Sequence, residues 1–555
     1  MNDVVKIVCD NTHSEMYVDW GTPLGKIAEM VSTGSRYPFL AAYVNNCMRE
    51  LDYKICDPVT VRFVDITHFE GMRVYQRTLF ITLHKAVHDL YPSNRFKITQ
   101  SISKGFYCEI EGVQSSDEVV AKIKARMDEL IENNIPIVRQ KLLHDEVLEI
   151  YRRLGFEDKI AIISSRPHLY VTVYMLADMA GYFYGALAPS TGYLYLYDLR
   201  TYYNGIYIAV PSRLTPDSLE PMVPQDKMFD VFQEYKGWVD VMGVSNIGQL
   251  NRKIISGEGG DLIKIAEAFH EKKLAGIADR IAEANRTDRT RLVLISGPSS
   301  SGKTTFAKRL GLQLRILGLE PVLISLDDYF LDREQTPKDG NGEYDYETID
   351  ALDIATFNKH LQQLFAGKQV DIPRYDFITG HRQWHDAPLQ LKENSILVIE
   401  GIHGINPRLT AQIDDRYKFK IYISCFTSIS MDDLSRIPTT DNRLIRRIVR
   451  DNAYRGADAA STLKRWGSVR RGEDKHIFPY QENADVMFNS SLFYEIPILK
   501  RFVEPLLHAV PDTIEEYGEA QRLLKFLDNF IELPSAEVPP TSILREFIGG
   551  SSFQY

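Results

Sequence analysis

Cysteine is scarce in this chain. The 555 residues hold five (Cys9, Cys47, Cys56, Cys108, Cys425), scattered and without a Cys-x-x-Cys pair. That usage excludes a disulfide framework and a cysteine-rich zinc module, and it reads as reduced thiols in a cytoplasmic protein. Net positive charge is also missing. The formal charge is −10, which argues against non-specific coating of nucleic acid as the main task. There is no internal repeat, no low-complexity tract and no basic-then-apolar leader in the opening MNDVVKIVCD. Long apolar runs are absent with one exception, LYVTVYMLADMAGYFYGAL at 169–187. It approaches bilayer length, but it contains Asp178, glycine and several tyrosines, and no basic flank orients it. It is expected to be a buried element of a soluble fold, with no membrane contact.

What remains is an ordinary globular composition, 44% apolar and 25% charged. The length exceeds what one core holds, so three or more domains are expected. Residues 1–65 read as a small mixed domain, with VVKIVC and VTVRFVDI as strands and TPLGKIAEMVS as a short capped helix. Residues 66–215 mix helical patterns with tyrosine-rich strands such as GYLYLYDL and GIYIAV. Residues 216–288 read as a helical connector. In it, GEGG at 257–260 is expected to be a linker turn and 261–287 a helix. From 289 to 505 the apolar strands RLVLIS, PVLIS, SILVIEG and FKIYIS alternate with helices. That is the pattern of an α/β domain with a doubly wound parallel sheet. Residues 506–555 read as a helix near 513–530 followed by a proline-rich polar tail.

The strand RLVLIS runs into Gly297-Pro298-Ser299-Ser300-Ser301-Gly302-Lys303-Thr304-Thr305. This matches G-x4-G-K-[ST], and a helical pattern follows at Phe306, Leu310, Leu314 and Leu317. Glycines let backbone N–H groups turn onto phosphate oxygens, and the helix N-terminus adds partial positive charge. Lys303 is expected to reach the β/γ-phosphates and Thr304 to ligate Mg²⁺. A nucleoside triphosphate, ATP or GTP, is the implied cofactor. Asp327 and Asp328 follow the next strand, and Glu400 ends SILVIEG. Carboxylates at the carboxyl ends of parallel strands can take a proton from an attacking hydroxyl and help hold the metal. Further on, Arg443, Arg446, Arg447, Arg450 and Arg455 share DNRLIRRIVRDNAYRG. They read as a solvated face, a nucleic-acid patch, or a lid closing over the triphosphate.

The ordered series GPSSSGKTT, SLDDYF, YDYETIDALD, IPRYDF, VIEGIH, RLIRRIVRDNAYRG and NADVMFNSS resembles the uridine kinase and phosphoribulokinase family over about 289–500. The resemblance implies Asp327 as the base for a nucleoside 5′-hydroxyl, and Thr304, Asp327 and Glu400 around Mg²⁺. It also implies Asp345 at the ribose hydroxyls, Tyr375 at the nucleoside, and Arg447, Arg450 and Arg455 acting from the lid. Two departures stand out. The base-contacting histidine of uridine kinases aligns with Gly380, followed by His381 and, further on, His385. Their lid sequence RGR is here Arg455-Gly456-Ala457. His381 is expected to touch substrate or lie in a plain loop, and not to bind metal.

The N-terminal half resembles a different family. Residues 1–65 look like the β-grasp TGS domain of threonyl-tRNA synthetases. The following region is similar to the α+β editing domain of those enzymes, through EGMRVYQRTLFITLHKAVHDLYP, SKGFYCEI and SSRPHLYVTVYMLADMAGYFYG. The two histidines and the Cys-x-x-x-His of that editing site align with Arg77, Ile81, Ser164 and His168. An aliphatic side chain cannot ligate zinc, and serine is a poor thiolate substitute. Neither zinc nor editing is expected. The half is left as a scaffold, an RNA or nucleotide sensor, or an oligomer contact. Two functions stay open at this point: a kinase of uridine, cytidine or another small hydroxyl acceptor, and a tRNA- or ribosome-binding protein driven by nucleotide.

Overall fold

A computed structural model describes residues 4–31, 34–166, 168–340, 342–377, 379–384 and 388–554. The alternation after 289 folds as expected into a five-stranded, wholly parallel sheet. Its strands lie in the order Glu320–Ser325, Ser395–Glu400, Leu292–Ser296, Lys418–Ser424, Val486–Asn489. Leu292–Ser296 is buried throughout, as a central strand covered on both faces must be. The register sets Glu400 beside both Ile295 and Ser325. All the carboxyl ends that matter therefore open onto one edge, directly above the phosphate loop. The helix Lys303–Ile316 follows that loop, and Gly318, at φ 83°, terminates it.

Ahead of this sheet, the strands Ser14–Asp19, Val4–Cys9, Val59–Val64, Ala41–Val44 and Cys47–Arg49 form a mixed sheet. It has its own small core around Ile7, Leu24, Ile27 and Phe63. The short helix Leu24–Met30 begins at Pro23 and has no capping side chain, unlike the capped helix its sequence suggested. Two antiparallel sheets follow, one of three strands and one of four. The apolar run 169–187 supplies the strands Tyr170–Leu176 and Met179–Gly181. No described helix is long and apolar enough to cross a membrane. GYLYLYDL is mostly irregular, and its strand begins only at Asp198. The connector helix spans Gly259–Asp288, so it absorbs the second half of GEGG. Only Gly257, at φ 85°, makes the turn.

Two packing features were not legible in the sequence. One apolar core runs from Val147 and Tyr151 through the long connector helix into the parallel sheet and on to Phe547. The C-terminal tail is also not a polar appendage: Ile543, Leu544 and Phe547 are fully buried. Its short helix Arg545–Ile548 packs against the helix Thr439–Tyr454.

Candidate active site

The phosphate loop is shaped by holding its carbonyls outward. Lys303 Nζ donates to Pro298 O at 3.1 Å and Arg443 to Ser299 O at 3.1 Å. Arg446 donates to Ser300 O at 3.4 Å, and Ser490 Oγ to Ser301 O at 2.5 Å. Among the described residues, the backbone N–H groups of Ser300, Gly302, Lys303 and Thr304 donate to no protein acceptor. They are the donors a phosphate chain needs. Gly297 is obligatory, because a Cβ there would run into Ile423 O. Gly302 adopts φ 84°, and a Cβ on it would press on Ile543 at 2.5 Å.

In front of the loop, Thr304 Oγ1 donates to Glu400 Oε1 at 3.1 Å, and Ser325 Oγ donates to the same oxygen at 3.0 Å. Glu400 is buried. Burial first, and the charge of Asp327 second, push its carboxyl up to about 7 against a partly offsetting Lys303. Lys303 is half-buried and lowered, burial outweighing the attraction of Glu400 and Asp327. A hydroxyl and two carboxylates are hard oxygen ligands of the kind Mg²⁺ takes alongside nucleotide phosphates. A buried carboxylate pushed toward neutrality by its neighbour is one that a cation would relieve. The residues therefore fit the ion.

The acidic pair divides its labour. Asp328 accepts the backbone N–H of Tyr375 at 3.3 Å, tying the turn Leu326–Tyr329 to the strand Pro373–Asp376. Asp327 makes no side-chain hydrogen bond among the described residues. Its charge is felt at Lys303, Glu400 and Arg455.

The five arginines split by depth. Arg443 and Arg446 are fully buried, paired with Glu473 and Glu495 respectively. They brace the loop from behind and cannot act as lid arginines. Arg447, Arg450 and Arg455 converge on Asp451, at 3.1, 2.8 and 3.8 Å. Arg447 also reaches Ser299 Oγ at 2.8 Å. The crowding is electrostatically tense: Arg450 first, then burial, brings Arg455 down to about 10. Arg455 lies over the Phe377 ring at 5.1 Å.

Beside these cations lies an aromatic wall. Tyr375 is buried against Phe330 and Phe377, with ring centroids 5.6 and 5.1 Å away. Its hydroxyl is buried beside Tyr346, and burial raises it to about 12. His381 is exposed on the hairpin opposite Asp376, its Nδ1 3.8 Å from Asp332. His385 lies outside the described residues. Gly380, at φ 81°, holds a left-handed backbone that strains any side chain, and a Cβ there would meet only the movable end of Arg333 at 2.7 Å.

Asp345, assigned to the ribose by resemblance, closes a turn by accepting the N–H of Glu347 at 3.0 Å. Glu347 is the carboxylate of this segment that feels Arg447 and Lys303. Burial pushes it up to about 7, and its Oε2 is buried without a partner. Gly472 makes room for it, because a Cβ there would strike its side chain. Glu347, Asp451, Glu473 and Glu495 were all passed over in the sequence. Only Asp451 had a visible signal, lying one to four residues from three arginines.

The residues aligned with the synthetase metal site make separate contacts. Arg77 donates to Ala186 O at 2.8 Å and faces Glu70 at 3.5 Å, and Ile81 is core. Ser164 is exposed, and His168 lies 3.5 Å from Asp528.

Residues 292–493 match the phosphoribulokinase / uridine kinase family model. That segment is a phosphoribulokinase / uridine kinase family domain. The chain is 28% identical over 199 residues to the uridine kinase of Staphylococcus aureus strain JH9, covering 36% of this chain and 86% of that one. It is 29% identical over 209 residues to the threonine–tRNA ligase of Azobacteroides pseudotrichonymphae genomovar. CFP2. That match covers 36% of this chain and only 32% of the ligase, so the chain spans about a third of that relative's length. Among solved structures, one titled as a possible uridine kinase from Bacillus stearothermophilus aligns with a TM-score of 0.25 at 22% identity. It covers 36% of this chain and 88% of its own. The α/β fold of the family domain is the one its strand order displays.

Proposed function

We propose that the chain transfers the γ-phosphate of ATP to the 5′-hydroxyl of a pyrimidine nucleoside, uridine or cytidine, giving UMP or CMP and ADP. One observation carries this reading. An uncommitted carboxylate, Asp327, whose charge is felt at Lys303, Glu400 and Arg455, lies in the turn that Asp328 ties to Tyr375 of the aromatic wall. A nucleotide switch has no use for such a base.

In this reading the loop N–H groups and Lys303 hold the triphosphate. Thr304, Glu400 and Asp327 would hold Mg²⁺, which supplies charge neutralisation at the phosphates. Asp327 accepts the proton of the attacking hydroxyl as its oxygen bonds to the γ-phosphorus and the bridging oxygen leaves with ADP. Arg447, Arg450 and Arg455 stabilise the transferring charge and help exclude water. Glu347 and Asp345 border the sugar, and Tyr375 the base. His381, exposed on its hairpin, is the weakest of the assigned contacts.

A second reading within the same chemistry is favoured by Gly380. The place of the base-reading histidine of uridine kinases is held by Gly380, whose left-handed φ of 81° disfavours a side chain, so another nucleoside, a sugar phosphate or pantothenate is the alternative acceptor. Incubating the purified protein with ATP, Mg²⁺ and a panel of these acceptors decides. Phosphorylation of uridine or cytidine supports the first reading, exclusive use of another acceptor supports the second, and turnover of none defeats both. Contact of the N-terminal half with tRNA or ribosome, and assembly into a homo-oligomer, are separate proposals. A tRNA mobility-shift titration at stated salt and a light-scattering mass test them.

A further inference from the structure

The phosphate loop already holds an anion from its own chain. The backbone N–H groups of Ser300, Gly302, Lys303 and Thr304 find no protein acceptor among the described residues, but that of Thr305 does. Thr305 donates to Glu546 Oε2 through its backbone N–H at 3.3 Å and through Oγ1 at 2.6 Å. Glu546 comes from the C-terminal tail, beyond the family domain, on the short helix Arg545–Ile548. It is half-buried and makes no ion pair among the described residues, although its charge is felt at Lys303, Lys308 and Glu400. The tail holds it there firmly. Ile543 packs on Gly302, and Phe547 lies under the Arg446 guanidinium at 5.1 Å.

A carboxylate bound to backbone and hydroxyl donors in the first turn of a phosphate-loop helix has the chemistry of a phosphate oxygen on the same donors. We propose that Glu546 is an autoinhibitory contact: its carboxylate occupies the place of a nucleotide phosphate at Thr305, and a bound nucleotide must displace it. The side chain swings away while the apolar body of the tail stays packed. Affinity for nucleotide is then set in part by a residue outside the family domain. This inference rests on the reading of the loop as a nucleotide site.

The test is isothermal titration of the full chain with Mg²⁺ and a non-hydrolysable ATP analogue. Glu546→Gln keeps the shape and removes the charge, and Glu546→Ala removes the group. Glu537→Gln, on the same tail but facing Lys264, controls for net charge, and a melting curve confirms that each variant is folded. Both Glu546 variants are expected to bind about tenfold more tightly than wild type, the scale of one competing charge-assisted hydrogen bond, and Glu537→Gln to bind as wild type does. If wild type binds and the Glu546 variants bind equally or more weakly, Glu546 is a brace for the loop and the inference is overturned. Equal tightening by Glu537→Gln reduces the effect to net charge and overturns it too. If no form binds the analogue, the nucleotide reading itself fails and takes the inference with it.

Discussion

Asp327 and Asp328 are neighbours of the same chemistry, and the turn that carries them gives each a different task. Asp328 is tied to the backbone of Tyr375, while Asp327 is left uncommitted beside Lys303 and Glu400. Asp327→Asn is therefore expected to lower kcat by about 10²–10⁴ with little change in the KM for ATP, read by coupled-enzyme assay. Glu400 makes a pH prediction. Its carboxyl lies near 7 in the fold against 4.5 in the free side chain. Between those values the folded protein keeps a proton that the unfolded chain has released. This group's contribution to stability therefore falls as pH rises through that window. Nucleotide-free Glu400→Gln should show a flatter melting temperature than wild type from about pH 5 to about pH 8 by scanning calorimetry. A curve parallel to wild type would contradict the assignment.

The helix Thr439–Tyr454 does two jobs along its length. Its buried arginines belong to the loop's foundation, and the later ones belong to the site. Arg446→Ala would leave Glu495 buried with its charge unmatched, so a loss of about 3–5 kcal/mol in denaturant unfolding is expected. Asp451→Asn attacks the other end. The side chain that gathers Arg447, Arg450 and Arg455 loses its charge, and the three cations repel. We expect kcat to fall and the melting temperature to drop with it, because Asp451 is buried and its three arginines lose their shared counter-charge. Unchanged kcat would remove Asp451 from the list of positioning residues.

Across the whole molecule, the two halves are wired together at the start of that same helix. Asp441, in its first turn, pairs with Arg522 at 2.7 Å and with Arg73 at 3.5 Å, and both arginines share Glu519. Arg73 lies on the helix Phe69–Leu90 of the N-terminal half. Lower down, Lys159 meets Asp432, and Arg95 meets Asp433, just ahead of the helix. The arginine-bearing element is thus seated on residues far outside the family domain. Removing residues 533–555 would strip Ile543, Leu544 and Phe547 from the core. At about 2–5 kcal/mol for each large apolar side chain lost, the total is as large as the stability of an ordinary domain. The truncated chain is expected to lose its cooperative melt in circular dichroism.

Sequence by itself determined the local chemistry. Strand–loop–helix at 292–316, the carboxylates at strand ends and the parallel sheet follow from short-range periodicity and from the glycines of the loop motif. Those are properties of a few adjacent residues, so they are written in adjacent letters. Pairings across the chain were decided only by the tertiary structure. The turn formed by Asp345 that leaves Glu347 facing the arginines depends on such packing. So do the split of the five arginines between Glu473, Glu495 and Asp451, and the seating of Glu546 on Thr305, 241 positions away. A charged side chain in a helical pattern looks the same whether solvent or a buried partner awaits it. Which of the two it meets is settled by packing between distant elements, and no local pattern records that.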